Sequence, residues 1–205
     1  MTKAVVIDYG IGNLSSVLNG CRRAGVEPAI VTSGEELAAA ECDHIVLPGV
    51  GAIGQALANL RERKIDIALE TRVRKEKVPF LAICVGMQFL AETCEEFGQH
   101  EGLGWIPGKV TRLAVTDSGL KLPHVGWNDI HATADDPLLS NMGDGHFYFV
   151  HSYALECPDE FVIARCDYGK NFVCAIRRDN IAAVQFHPEK SSANGVALLK
   201  AFLGS

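Results

Sequence analysis

Cys84 stands where an apolar run, Val78-Pro79-Phe80-Leu81-Ala82-Ile83, passes into Val85-Gly86-Met87-Gln88-Phe89-Leu90, whose apolar spacing is helical. A strand, a sharp turn carrying one thiol and a helix make an elbow that exposes its side chain at the carboxyl end of a sheet, where helix N-terminal amides favour a thiolate. Nucleophilic attack on a carbonyl suits this arrangement, against the plainer reading of an isolated cysteine as a small core hydrophobe. Such chemistry needs a base. A second apolar run, Ala182-Ala183-Val184-Gln185-Phe186, ends in His187-Pro188-Glu189. A histidine at a strand end can take and return the proton, and the nearby carboxylate can hold its tautomer and support its charge. Alone, this pair reads as an edge histidine and a solvated glutamate; with the cysteine elbow it completes a Cys84, His187, Glu189 set for acyl transfer through a thioester. Glycines in Leu47-Pro48-Gly49-Val50-Gly51 let backbone amides approach a substrate, so an amide at Val50 or Gly51 together with that of Val85 can form an oxyanion hole. Taken by itself that loop is a plain turn.

These groups must be positioned by a sheet. The first ninety residues alternate strand and helix signals: Ala4 to Ile7; Leu14, Val17, Leu18 and Cys21 at helical spacing; Pro28 to Val31; a helix with a capping box at Ser33 and Glu36; His44 to Leu47; a further helix; and Val78 to Ile83. Such alternation predicts an α/β fold with a mostly parallel sheet flanked by helices, and places Asp8, Pro48-Gly49 and Cys84 at the strands' carboxyl ends, where ligands bind. From Gly104 the texture turns to β-rich stretches, Trp105 to Leu113, Lys121 to Ile130, Phe147 to Tyr153, Phe161 to Cys166, Phe172 to Ile176 and Ile181 to Phe186. They predict antiparallel strands added to the sheet in the C-terminal half, before a closing helix with Val196, Leu199, Phe202 and Leu203 on one face.

The 205 residues read as one domain, 1–205, without linker or repeat. A net charge of −6 offers no basic stripe for nucleic acid. Seven cysteines contain no C-x-x-C, so neither a zinc cluster nor a disulfide framework is expected, and no metal or cofactor. Gly10-Ile11-Gly12-Asn13 has Ser15 in place of a third glycine, which argues against a dinucleotide. Only four apolar residues precede Asp8, too few for a signal peptide or a membrane span, so a cytoplasmic protein is expected.

Ile83-Cys84-Val85-Gly86-Met87-Gln88 resembles the nucleophile motif of the class I (triad) glutamine amidotransferases, of flavodoxin-like fold, and Gln185-Phe186-His187-Pro188-Glu189-Lys190-Ser191 resembles their His/Glu motif. Ile7-Asp8-Tyr9-Gly10-Ile11-Gly12-Asn13-Leu14, Leu47 to Ala52, Pro123-His124-Val125-Gly126-Trp127-Asn128 and Phe147 to Tyr153 are similar to the branch formed by the glutaminase subunits of imidazole glycerol phosphate synthases. The resemblance implies that Cys84 attacks the side-chain amide of glutamine, His187 relays the proton to the departing ammonia, and water cleaves the thioester. It further implies that the ammonia passes to a TIM-barrel cyclase partner in a heterodimer, for a step of histidine biosynthesis. Gly51, Gln88, His151, Ser152 and Tyr153 would hold the glutamine, a zwitterion expected to need amide, hydroxyl and backbone partners rather than one strong charge. Asn13, Pro123, His124, Trp127, Asn128, Tyr148 and Lys190 would face the cyclase. Ala82 stands where the family usually has glycine; a methyl there can crowd the helix that follows, and tolerance is expected. Two alternatives stay open: the glutaminase subunit of another triad amidotransferase, and an inactive scaffold with a distorted elbow.

Overall fold

A run of residues buried on both faces makes a strand that only the middle of a covered parallel sheet can accommodate. Four such runs, β1 (Ala4–Ile7), β3 (His44–Leu47), β4 (Phe80–Ile83) and β13 (Ile181–Val184), are buried at every residue. In the computed structural model, which describes residues 2–115, 119–143 and 145–204, they lie side by side and parallel. β2 (Ala29–Val31) closes that edge. Helices α1 (Leu14–Arg23), α2 (Gly34–Ala39), α3 (Ile53–Glu62) and α4 (Ile65–Leu69), the last continued by a π-turn over Glu70–Lys75, supply the crossovers. At the start of α2 the Ser33 hydroxyl accepts from the Glu36 amide (3.2 Å), while the Glu36 carboxylate accepts from the Thr32 amide (2.6 Å), one residue ahead of the expected capping box.

The helix after Cys84, α5, covers only Val85–Gln88. It is shorter than its apolar spacing predicts because Leu103, Trp105 and Ile106 turn back to donate to the Phe89 and Leu90 carbonyls. α5 thus brings the amides of a single turn to the elbow rather than a long helix dipole.

The C-terminal half feeds two sheets, not one. β12 (Lys170–Arg178), β11 (Val162–Tyr168), β8 (His124–Ala132) and β9 (His146–His151) extend the main sheet antiparallel beyond β13, giving the order β2-β1-β3-β4-β13-β12-β11-β8-β9. β5 (Thr93–Cys94), β6 (His100–Glu101), β7 (Lys109–Arg112) and β10 (Tyr153–Glu156) form a smaller sheet, in the order β10-β7-β5-β6. The stretch Phe147 to Tyr153, expected as one strand, breaks at Ser152: His151 pairs with His124 in the main sheet, Tyr153 with Arg112 in the small one. Trp105 to Leu113 is strand only over β7, because Trp105 and Ile106 are held to Leu90 and a Cβ on Gly108 would sit 2.0 Å from the Glu156 carbonyl oxygen. The closing helix α6 (Ser192–Leu203) buries Leu198, Leu199, Phe202 and Leu203, with Val196 only half-buried. Among the described residues no helix is long and apolar enough to cross a membrane.

Candidate functional site

Parallel pairing aligns Ile83 with Val184, so the next residues, Cys84 and Gln185, emerge side by side from adjacent strands, with the Cys84 amide donating to the Val184 carbonyl (2.7 Å). Cys84 turns at φ 55°, ψ −110°, a strained conformation of a kind that costs about 1–3 kcal/mol and must be imposed by its surroundings. The imposition is close packing behind the elbow. A Cβ on Gly86 would lie 2.5 Å from the Leu47 carbonyl oxygen, and one on Gly49 2.3 Å from the Gly86 amide nitrogen, so the loop after β3 and the elbow touch through two glycines. Ala82 sits fully buried within β4, in register with Leu47 and Ala183. The tight contacts lie at Gly86 and Gly49, and the turn at Cys84 stands with a buried alanine two residues before it.

Two residues beyond Gln185, past the bend that follows β13, comes His187. Its backbone amide donates to the Tyr148 carbonyl (2.8 Å), and its carbonyl accepts from the Ser191 hydroxyl (2.6 Å). Nδ1 meets Glu189 Oε1 at 2.7 Å, with side chains only 1% and 2% exposed. The other nitrogen, Nε2, is buried and makes no bond of strict geometry, but lies near enough to the Cys84 sulfur for the two to interact. Burial disfavours the imidazolium; the charge of Cys84, a hydrogen bond to it, and Glu189 outweigh that and raise His187 to about 10. The arrangement holds a proton beside the Cys84 sulfur.

A second set of buried groups surrounds the same sulfur. Gln185 Nε2 donates to Cys84 Sγ at 3.6 Å, and Gln88 Nε2 donates both to Gln185 Oε1 (3.1 Å) and to the Tyr153 carbonyl (2.9 Å). His151 Nδ1 lies 2.9 Å from that carbonyl, which only accepts, so the Nδ1 carries a proton. Buried His151 is held neutral, lowered to about 3 chiefly by burial, which leaves its Nε2 an acceptor. The acceptor faces His124 Nδ1 at 3.2 Å; His124, lowered to about 4 by burial, is then protonated there and accepts at Nε2 from Asn128 Nδ2 (3.4 Å). Every tautomer in this row is set by a main-chain carbonyl at its end.

Cys84, His187, Val50, Gly51, Val85, Gln88, Val150, His151, Ser152, Tyr153 and Glu96 line one cavity of about 120 Å³. All the residues expected in the nucleophile, oxyanion and substrate roles thus meet, apart from Glu189, which stands behind His187. Both ring nitrogens of His151 are engaged within the protein, and the residue lines the cavity beside Ser152 and Tyr153. The lining also carries a carboxylate, Glu96, which accepts from the Ile53 amide at 2.6 Å. Sequence reasoning misses Glu96, which stands in a polar loop after the elbow, and assigns no role to Gln185, although the His/Glu motif begins with it.

The surface residues divide. Trp127 is 47% exposed and packs on Tyr148, its register partner across β8 and β9 (ring centroids 6.2 Å apart), while Lys190 Nζ lies 5.6 Å from the Tyr148 ring. Pro123 is exposed, and so is Asn13, which caps α1 by accepting from the Ser16 amide at 3.4 Å. Asn128 is half-buried and spends its amide on His124 and on the Asp167 carbonyl. His124, expected on the outer face, is 2% exposed, stacked between Phe149 and Tyr168; its alternation on β8 turns it inward.

The family model "Glutamine amidotransferase class-I" matches residues 5–204. Among curated proteins, the chain is 46% identical over 208 residues to the imidazole glycerol phosphate synthase subunit HisH of Geobacter sulfurreducens (98% of each chain covered). It is 45% identical over 201 residues to that of Leptospira interrogans (96% of this chain, 97% of the other) and 44% over 210 residues to HisH 2 of Nitrobacter winogradskyi (99% and 98%). Among solved structures, a glutamine amidotransferase aligns with TM-score 0.76 at 21% identity over 98% of this chain and 97% of the other. PurLQS from Thermotoga maritima aligns with TM-score 0.74 at 18% identity over 99% and 98%; both likenesses concern the fold.

Proposed function

The chain belongs to the class-I glutamine amidotransferases, and from that premise we propose that it is the glutaminase subunit of an imidazole glycerol phosphate synthase, acting in histidine biosynthesis. The observation that carries the chemistry is the row of strand ends that brings Cys84 and His187 to one cavity, with Glu189 bonded to His187 from behind. The Cys84 thiolate attacks the side-chain carbonyl carbon of glutamine, and the carbonyl electrons move onto oxygen, where amides of the Val50-Gly51 loop and Val85 receive the charge. His187 gives its proton to the amide nitrogen, the C–N bond breaks, and ammonia leaves a glutamyl thioester on Cys84. Neutral His187 then takes a proton from water, which attacks the thioester. Collapse releases glutamate and restores the thiolate–imidazolium pair, with Glu189 supporting the charged ring in both halves.

Gln88 Oε1, which has no protein partner among the described residues, is the acceptor for the substrate amide N–H, and Gly51, His151, Ser152 and Tyr153 bound the head group. Glu96 is the counter-charge for the α-ammonium. The ammonia passes without meeting bulk water to a TIM-barrel cyclase, where it joins phosphoribulosyl-formimino aminoimidazole carboxamide ribotide and yields imidazole glycerol phosphate and aminoimidazole carboxamide ribotide. The surface built by Asn13, Pro123, Trp127, Asn128, Tyr148 and Lys190 is the docking face. Trp127 is its anchor, an exposed aromatic of the type that dominates interfaces. The pathway is cytoplasmic.

The test is glutamate release measured with the chain alone, with the cyclase, and with the cyclase plus its nucleotide. Activation by the full set supports the reading. Absence of glutaminase activity under all three conditions overturns it.

A further inference from the structure

We propose that Gln185 is an additional catalytic residue, whose side-chain amide donates a hydrogen bond to the Cys84 sulfur and stabilises the thiolate both as it attacks and as it departs from the thioester. This rests on the reading of Cys84 as the nucleophile and extends it to a group for which that reading has no role.

The donor direction is fixed by elimination. A glutamine amide can present either nitrogen or oxygen to a neighbour, and only the hydrogen-bond network decides which. The Tyr153 carbonyl cannot donate, so the Gln88 terminus facing it at 2.9 Å is nitrogen. That same nitrogen faces Gln185 at 3.1 Å, so Gln185 turns its oxygen to Gln88 and its nitrogen to Cys84 Sγ, 3.6 Å away. Reversing Gln185 would set two NH2 groups against each other in a site where Gln185 is fully buried and Gln88 4% exposed. The register of β4 and β13 holds the donor in place, because Cys84 and Gln185 leave adjacent strands at the same level.

The sulfur's other polar neighbour on the main chain is the Val150 carbonyl, at 3.9 Å, which can accept from a thiol and repels a thiolate. His187 supports the thiolate only while it keeps its proton, and the reaction requires it to surrender that proton. Gln185 is a neutral donor that stays put throughout. A hydrogen bond to an ionised acceptor is about twice as strong as one between neutral groups, so the bond favours the charged state of the sulfur.

The experiment is iodoacetamide alkylation of the full chain across a pH series, read by mass spectrometry on the Cys84 peptide, for the wild type, Gln185→Met and Gln185→Glu. Met keeps the volume without the donor; Glu keeps the shape and replaces the donor by an acceptor. The midpoint of the Cys84 alkylation profile is expected to rise by about one pH unit in Gln185→Met and further in Gln185→Glu. The plateau rate above the midpoint should change far less, a pH dependence that a packing defect would not produce. A folded Gln185→Met protein with the wild-type pH profile overturns the proposal.

Should neither variant fold, the Gln185 side-chain N–H resonances of the wild type are compared before and after alkylation of Cys84. A shift of those signals supports the bond, and indifference overturns it. Wild-type Cys84 reacting no faster at pH 7 than N-acetylcysteine would overturn the nucleophile reading as well, whereas a reactive Cys84 indifferent to Gln185 overturns only the role of Gln185.

Discussion

Two histidine sites border the same cavity, and they titrate in opposite directions. His187 is raised to about 10, while His124 and His151 are lowered to about 4 and about 3. Burial acts first on all three and pushes each toward the neutral form, so burial does not distinguish them. Partners do. His187 has a carboxylate on one nitrogen and the charge of Cys84 near the other; His124 and His151 have each other, a main-chain carbonyl and an amide. A buried imidazole beside anionic groups becomes a store for a proton, and one in a row of neutral dipoles becomes a strut with a fixed tautomer. The strut has its own use: it pins the Tyr153 carbonyl, which fixes Gln88, which in turn fixes the amide of Gln185 beside the sulfur.

The comparison breaks most completely if the proton store is removed from its purpose. Cys84→Ala is expected to lower glutamate release by roughly 10⁴-fold or more while leaving binding of the cyclase intact, measured by steady-state glutaminase assay and by pull-down. In the same variant the His187 ring signals in NMR should titrate at lower pH than in the wild type, because the charge of Cys84 leads the causes that raise it. Glu189→Gln keeps the shape and one acceptor but removes the charge. It should lower kcat by about 10²–10⁴-fold with a smaller change in KM, and should also move the His187 titration down.

Stability carries the opposite signs of the two sites. An unfolded histidine protonates near 6.5, whereas folded His124 and His151 resist until about 4 and 3. As pH falls below 6.5 the unfolded chain takes up protons that the folded chain refuses, so stability drops by about 1.4 kcal/mol per pH unit for each such histidine. His187 works the other way: its contribution is complete below 6.5 and is lost as pH rises toward 10. His124→Asn, which keeps an amide donor toward His151, should flatten the acid limb by one proton's worth and leave the alkaline limb alone. Urea unfolding at pH 4 to 7 measures the first effect, and unfolding at pH 7 to 10 the second.

How far these two sites can be read from the chain itself differs. The strand-to-helix change at Cys84 and the apolar run ending at His187 are local patterns, and each survives folding as a strand end on a buried parallel sheet. The row from Asn128 to Gln185 has no local signature. Its members come from β8, the junction of β9 and β10, α5 and the end of β13, and its polarity depends on which atoms face which after the sheets assemble. For the same reason His124 reads as a surface residue: its loop is polar in sequence, but alternation on β8 sends it in and Trp127 out. The break at Ser152 is hidden because both strands that it joins are apolar, and only their partners, His124 and Arg112, separate them into two sheets. The tight contact of the elbow lies at Gly86 and Gly49, glycines whose need becomes visible only when two loops meet.

The smallest change tests the lesson from the neutral side. Asn128→Asp puts a carboxylate against His124 Nε2, at the position where the amide nitrogen now stands 3.4 Å away, and so imitates the bond between His187 and Glu189. If the partner decides, His124 should gain affinity for a proton, by about one pH unit, since the new carboxylate would occupy a half-buried position and keep some contact with water. The substitution also loses the donor to the Asp167 carbonyl and sets a carboxylate against it, which should cost about 1–2 kcal/mol in unfolding experiments. An NMR titration of the His124 ring reads the result directly. An unmoved His124 would mean that burial alone sets the titration of this pair, and the contrast with His187 would then rest on the sulfur rather than on the carboxylate.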